Sequence, residues 1–423
     1  MRVALAFAIV FAATAMAITA QSRADPSDLF KDVRQRVLAD LARIPNYTCV
    51  ETVTRQNMYR QSSRRFALQP TCGEIIRQRD ARKRSLPVTS WNRLRLEVAI
   101  ADENEIYSWV GASTFQEGNV HDLVGYGQTA GGEFGPILAA TFVEHAGMRL
   151  LGERTEGGRR LLEYGFDTPR ELSQWVLKIG SSEFTPPYSG SVLIDPNTGD
   201  VVQVTRRTSE LPPETGYCQS IHQIRYGRVQ IAGSDALIPR EARLVTIAQD
   251  GSELVNVDSF ESCREYEAES VLRFDDAGSP PAVSLQASAP DWLAPIPAGV
   301  PFDCRIVTPI DSNTAAAGDP VEAVLRSPIK DPDGVVLVAP GARIHGRLLR
   351  FSSTSDSYEL GVQFNWIERG SARVPFGAIR KSGPLRAAPG MGIFVFKQPR
   401  LRLPQLDSSW ITAAPEAAPR QNP

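Results

Sequence analysis

The chain of 423 residues lacks most of the motifs that announce chemistry. It has four histidines, His121, His145, His222 and His345, and no two stand at the close helical spacing of a metal site. There is no Cys-x-x-Cys, no Gly-x-Ser-x-Gly elbow, no phosphate-binding P-loop and no joint set of the serine motifs of the penicillin-interacting enzymes. The Asp-rich turns "DPNTGD" and "DPDG" fall short of a calcium loop, which needs several oxygen ligands and a distal carboxylate. They read as hairpin turns. Long apolar runs are equally scarce. Past the first twenty residues no stretch is long and apolar enough to cross a bilayer as a helix. The residues therefore nominate no catalytic group, no cofactor and no metal.

What is present points to export. Arg2 precedes an apolar run from Val3 to about Ala20 with small residues at Ala15, Ala17 and Ala20. That is the layout of a secretory signal peptide over residues 1–20. The expected location is the periplasm or the exterior. Disulfides persist there, and Cys49, Cys72, Cys218 and Cys263 are expected to form two. Sequence proximity suggests Cys49–Cys72 and Cys218–Cys263, although spacing alone does not fix connectivity. The fifth cysteine, Cys304, shares a strand face with Phe302 and Ile306 and reads as a buried free thiol.

An amphipathic helix follows the signal, with Phe30, Val33, Val37 and Leu41 at helical spacing and Pro45 beyond its end. Strand signals then dominate. "YTCVETVT" alternates, and "WNRLRLEVAI" sets Leu94, Leu96 and Val98 on one face. "GPILAATFVEHAG" reads as a further helix, and "GYGQTAGGEFG" before it as a glycine-rich loop over an opening. Residues 276–295 are rich in Pro, Ala and Ser and read as a linker between a unit at 25–275 and a second, all-β unit at 296–402. In the latter, Tyr358, Leu360, Val362, Phe364 and Trp366 share a strand face, and His345 points outward with Arg343 and Arg347. Residues 403–423 are expected to be a disordered tail.

Charge is unevenly spread. The chain totals −2, yet from Arg55 to Arg95 eleven Arg or Lys face two acids. The densest part, with Arg77, Arg79, Arg82, Lys83 and Arg84, is a candidate patch for an anionic partner such as lipid headgroups or an acidic protein. Nucleic acid does not belong to that compartment.

An exported chain with one amphipathic helix, a long antiparallel meander and hairpins such as "GSVLIDPNTGDVVQV" resembles the periplasmic lipoprotein-carrier superfamily over roughly residues 25–274. The resemblance implies a strongly curved, unclosed antiparallel half-barrel with helices plugging its concave face. It also implies acyl chains as cargo, with Phe30, Val33, Val37, Leu41, Leu94, Leu96 and Val98 lining the cavity. The runs "IPAGVPFDCRIVTPIDSNTAAAGDPVEAVLRSPI" and "GVVLVAPGARIHGRL" resemble the C-terminal β-domain of conjugation-type secretion scaffold proteins. That resemblance implies a small barrel-like docking domain.

The sequence thus predicts a mainly β, exported, non-enzymatic envelope protein. Its partners would be lipid or lipoprotein acyl chains, or an envelope protein, with peripheral membrane contact. The alternatives are a hydrolase of envelope polymers using two carboxylates from distant loops, and a structural module filled by its own side chains.

Overall fold

The computed structural model describes residues 26–59, 70–101, 104–112, 115, 120–124, 127–144, 148–265, 296–381 and 390–415. The expected signal peptide and the expected linker lie outside them.

The chain begins with α1 (Pro26–Leu41), β1 (Tyr47–Met58), α2 (Cys72–Asp80), β2 (Val88–Ala101) and β3 (Asn104–Trp109). Then come α3 (Val120–Val124), α4 (Pro136–Glu144), β4 (Arg149–Glu156), β5 (Arg159–Thr168), β6 (Leu177–Ile179) and β7 (Ser182–Phe184). The first unit closes with β8 (Tyr188–Ile194), β9 (Val201–Thr208), β10 (Tyr217–Ile231), β11 (Ser234–Ala248) and β12 (Glu253–Glu265). Its sheet runs β4–β5–β8–β9–β10–β11–β12–β1–β2–β3, antiparallel throughout. Long β-branched runs joined by tight turns such as Asp195–Gly199 give this meander. The sheet is a curved half-barrel with β3 and β4 at its edges among the described residues.

Both faces are covered, for different reasons. On the concave face α1 buries Phe30, Val33 and Val37 against Tyr47, Leu96, Val98, Tyr164, Val192 and Ile224. Each such side chain contributes about 1.5–3 kcal/mol by leaving water. On the convex face α2 packs Ile75 against Met58, Ile221, Val245, Ile247 and Val255.

The second unit comprises β13 (Pro301–Ile306), β14 (Ile310–Asp311), β15 (Pro320–Leu325), β16 (Ile329–Lys330), β17 (Val336–Val338) and β18 (Arg343–Thr354). It continues with β19 (Ser357–Arg369), β20 (Ala372–Pro375), β21 (Gly377–Arg380), β22 (Met391–Lys397), β23 (Arg402–Leu403) and β24 (Leu406–Ala413). Its strands run β21–β24–β13–β15–β18–β19–β22 around one core, with β20 also on β19. The expected disordered tail is overturned in its described part. β24 pairs with both β13 and β21, and Trp410 is fully buried.

Two further details correct the sequence reading of this unit. The common face of β19 holds through Phe364, where a bulge against His345/Gly346 changes the alternation. Ile367 then turns inward, and Trp366 stays outside the core, stacked on His345 with ring centroids 3.5 Å apart. His345 is half-buried rather than free in solvent, with Nε2 3.4 Å from Glu368.

The two units meet along β2. Its C-terminal half pairs with β3, whereas residues 90–92 pair with β18 and Leu94 bridges to Ala317. Arg95 N donates to Ala317 O (2.6 Å) and Ala317 N to Arg93 O (2.8 Å). Trp91 meets Phe351 edge-on at 5.5 Å.

Candidate functional site

The site is the concave face of the first unit, which has an apolar floor and a polar end. The floor is filled by the chain itself. Phe30 of α1 stacks on Phe142 of α4 at 5.9 Å and lies 5.4 Å from Tyr164. Arg34 Nε donates to the Phe142 carbonyl at 2.7 Å, which ties the two helices together. At the rim Arg228 holds Asp40 of α1 (3.0 Å) and Asp200 (2.9 Å).

Of the residues expected to line a cavity, Phe30, Val33, Val37, Leu96 and Val98 belong to this packed core, and Leu41 covers its margin. Leu94 does not. It packs with Val53 and Ala317, where the second unit reaches the first. A cavity of about 270 Å³ opens instead at the seam between the units, lined by polar groups including Asn57, Asn92, Arg350 and Glu359.

The polar end gathers groups that the sequence reading left out. Glu51 and Asp258, from the neighbouring strands β1 and β12, are 6% and 2% exposed. Glu105 of β3 accepts from Gly132 N (2.7 Å), Phe134 N (3.1 Å) and Tyr107 Oη (2.9 Å). Glu133, 2% exposed, comes from the loop 127–135 just before α4. Its Oε1 lies 3.1 Å from His222 Nε2, and its carbonyl accepts from Tyr226 Oη at 3.2 Å. Arg206, stacked on Trp175, reaches His222 Nδ1 at 3.3 Å. An arginine can only donate, so Nδ1 is the acceptor and the imidazole proton sits on Nε2, facing Glu133.

Gly132 makes this loop feasible. Its φ of +90° suits glycine, and a Cβ there would press on Ile137 at 3.2 Å. The described part of the glycine-rich loop, residues 127–135, therefore lies over an enclosed acidic interior rather than an opening.

Electrostatics follow from the enclosure. Burial, then the neighbouring Glu133, pushes Glu105 up to about 7 despite the donors aimed at it. Burial, then Asp258 and Glu133, holds Glu51 well above the usual carboxylate range. Asp258 is raised by burial and Glu133, against the pull of Arg55. Burial lowers His222 and keeps it neutral. Tyr47 Oη is fully buried without a hydrogen-bond partner, and its titration is raised by burial and by Glu105. Closely packed carboxyl groups in low dielectric retain protons because full ionisation costs too much. Among the described residues no set of three His, Cys, Asp or Glu side chains is arranged to hold a metal ion.

The cysteine pairing corrects the expectation. Cys49 is bonded to Cys263 and Cys72 to Cys218, while Cys304 is free and buried. The physical reason is register. β1 and β12 are ladder neighbours, so Cys49 meets the far end of the meander. α2 folds onto the convex face beside β10, so Cys72 meets Cys218.

The basic segment is helical as far as Asp80, with Arg77 and Arg79 in α2 and Arg82, Lys83 and Arg84 beyond its end. Thr71 and Glu74 form a reciprocal capping box at the start of α2. Of the five patch residues, Arg79 and Arg82 are half-buried and engaged with Glu253, at 3.6 and 2.9 Å. Arg77, Lys83 and Arg84 are exposed. The patch belongs to the convex side, away from the concave floor.

No protein-family model matches the chain, and no curated protein matches it. Among solved structures, a LolA superfamily protein from Nitrosomonas europaea aligns with 8% identity over 56% of this chain and 94% of its own length. Its TM-score of 0.24 is too low to carry an argument, so the fold rests on the strands described above.

Proposed function

We propose that this chain is an extracytoplasmic, non-enzymatic cell-envelope protein whose half-barrel binds an acyl chain in the place now held by α1 and α4. The observation that carries this reading is the construction of the concave face. A curved apolar floor is completed by two helices, with Phe30, Val33, Val37, Ile137, Leu138 and Phe142 as the plug. A guest that offers the same apolar surface replaces those contacts when the helices lift. Two disulfides between distant segments support an oxidising compartment. Exposed Arg77, Lys83 and Arg84 support contact of the convex side with an anionic surface. The second unit then serves as the docking domain.

Hydrolysis fits less well. The structure does bring carboxylates together, but Glu51, Glu133 and Asp258 are enclosed and present no cleft to a polymer.

Titration with a fluorescent long-chain fatty acid tests the proposal. Phe30→Ala weakens the closed plug by about 3–5 kcal/mol. It therefore lowers the cost of opening and raises apparent affinity by about 100-fold or more, provided circular dichroism shows the variant folded. Absence of binding in both proteins would overturn the reading, as would equal or weaker binding by the variant.

A further inference from the structure

The acidic end of the concave face has no role in acyl binding as such, and its position gives it one. The loop 127–135 runs directly into α4, half of the plug. Glu105 clamps that loop through Gly132 N and Phe134 N, and Tyr226 clamps it through the Glu133 carbonyl. The loop's own carboxylate, Glu133, is thereby pressed into a chamber that already holds three others.

We propose that the loop 127–135 is a proton-operated latch: protonated, the carboxyl cluster holds α4 over the concave face, and proton loss as pH rises loosens it. This deepens the acyl-binding reading and rests on it.

Every wall of the chamber contributes a titratable or charged group. β1 supplies Tyr47, Glu51 and Arg55, and β3 supplies Glu105 and Tyr107. β9 supplies Arg206, β10 supplies His222 and Tyr226, and β12 supplies Asp258. Four carboxyl groups thus face two guanidinium groups and a neutral imidazole. Glu51 Oε2, Asp258 Oδ1 and Tyr47 Oη are buried with no hydrogen-bond partner. Full ionisation would leave those acid oxygens charged and unsolvated.

Two effects oppose each other at Glu105. The donors from the loop favour its ionised form, whereas burial and Glu133 favour the acid. The second pair dominates, since Glu105 is raised from 4.5 to about 7. Between those values the closed state binds more protons than an open, solvated one, so closure weakens as pH rises through that window. For Glu105 alone the closing equilibrium shifts by roughly 300-fold. His222 opposes this in the part of the window below its ordinary 6.5, where an open, solvated imidazole binds a proton that the buried one does not. Glu51 and Asp258, both raised by burial, act with Glu105.

Hydrogen exchange of the full chain between pH 5 and 8, corrected for intrinsic rates, is the test. Amides of residues 127–144 should lose protection by about 100-fold more than those of β8 and β9. In Glu105→Gln or Glu51→Gln, both near-isosteric, that difference should shrink at least tenfold. Equal loss in all segments, or an unchanged pH slope in both variants, overturns the latch. The fatty-acid titration repeated at pH 5 and 8 separates the two proposals. A pH-dependent loop without fatty-acid binding removes only the acyl reading. Binding that is the same at both pH values removes only the latch.

Discussion

His222 Nε2 on β10 lies 3.1 Å from Oε1 of Glu133, in a loop that also packs Phe134 against Tyr47 and Phe260 of the sheet. His222 and Glu133 are almost fully enclosed, and Arg206 occupies the other ring nitrogen. The imidazole is thus the bridge between a strand guanidinium and a loop carboxylate.

Removing that bridge should be costly. His222→Leu leaves Glu133 facing an apolar side chain, and an unpaired buried acid costs about 2–4 kcal/mol. Urea unfolding should show a lower midpoint with an unchanged slope. A shift worth less than about 0.5 kcal/mol would contradict this account of the loop.

The disulfides make a connectivity prediction. Peptide mapping of the oxidised protein should recover Cys49 with Cys263 and Cys72 with Cys218. These bonds close chain separations of 214 and 146 residues, for which loop entropy gives about 5 kcal/mol each. Replacing Cys49 and Cys263 by Ala should lower the melting temperature by well over 5 °C. Recovery of Cys49 with Cys72 would mean that α2 is misplaced.

The seam between the units turns on Gly318. Its φ is +107°, its N–H donates to Leu348 O, and a Cβ would fall 2.0 Å from the Arg95 carbonyl. Backbone would have to move, and with it the Arg95–Asp319 ion pair beside it. Gly318→Ala should cost more than 2 kcal/mol and split one calorimetric transition into two. A single, unshifted transition would show that the seam does not couple the units.

The parts of this fold that were legible in the sequence are those where one face alternates cleanly. α1 shows its stripe at Phe30, Val33 and Val37, and all three are buried. β19 keeps its face from Tyr358 to Phe364, but nothing before Trp366 announces the bulge that follows. Thr71-x-x-Glu74 was a readable helix start, overshadowed by the charge run behind it. The acidic chamber carried a fainter signal. Glu51 falls on the same alternating face as Tyr47, Cys49 and Val53, which is the wrong face for a solvated acid. That its partners would be Glu105, Glu133 and Asp258 is set by long-range pairing, to which local pattern is blind. The same holds for β2, whose outer half finds the second unit rather than another strand of its own.

Cys304 should be chemically silent. It is 1% exposed, and burial pushes its thiol up to about 12, with Ser408 pulling slightly the other way. At pH 8 fewer than roughly one molecule in a thousand would carry the thiolate. Iodoacetamide should label it only after unfolding, and labelling of the native protein within minutes would contradict its placement in the second core.

The most direct measurement is hydrogen exchange of α1 and α4 with and without a saturating long-chain fatty acid. If the helices stand where a guest goes, amides of residues 29–41 and 136–144 lose protection on binding while those of β8 to β10 gain it. Unchanged or increased protection of both helices would mean that the concave face stays shut and that the plug is simply core.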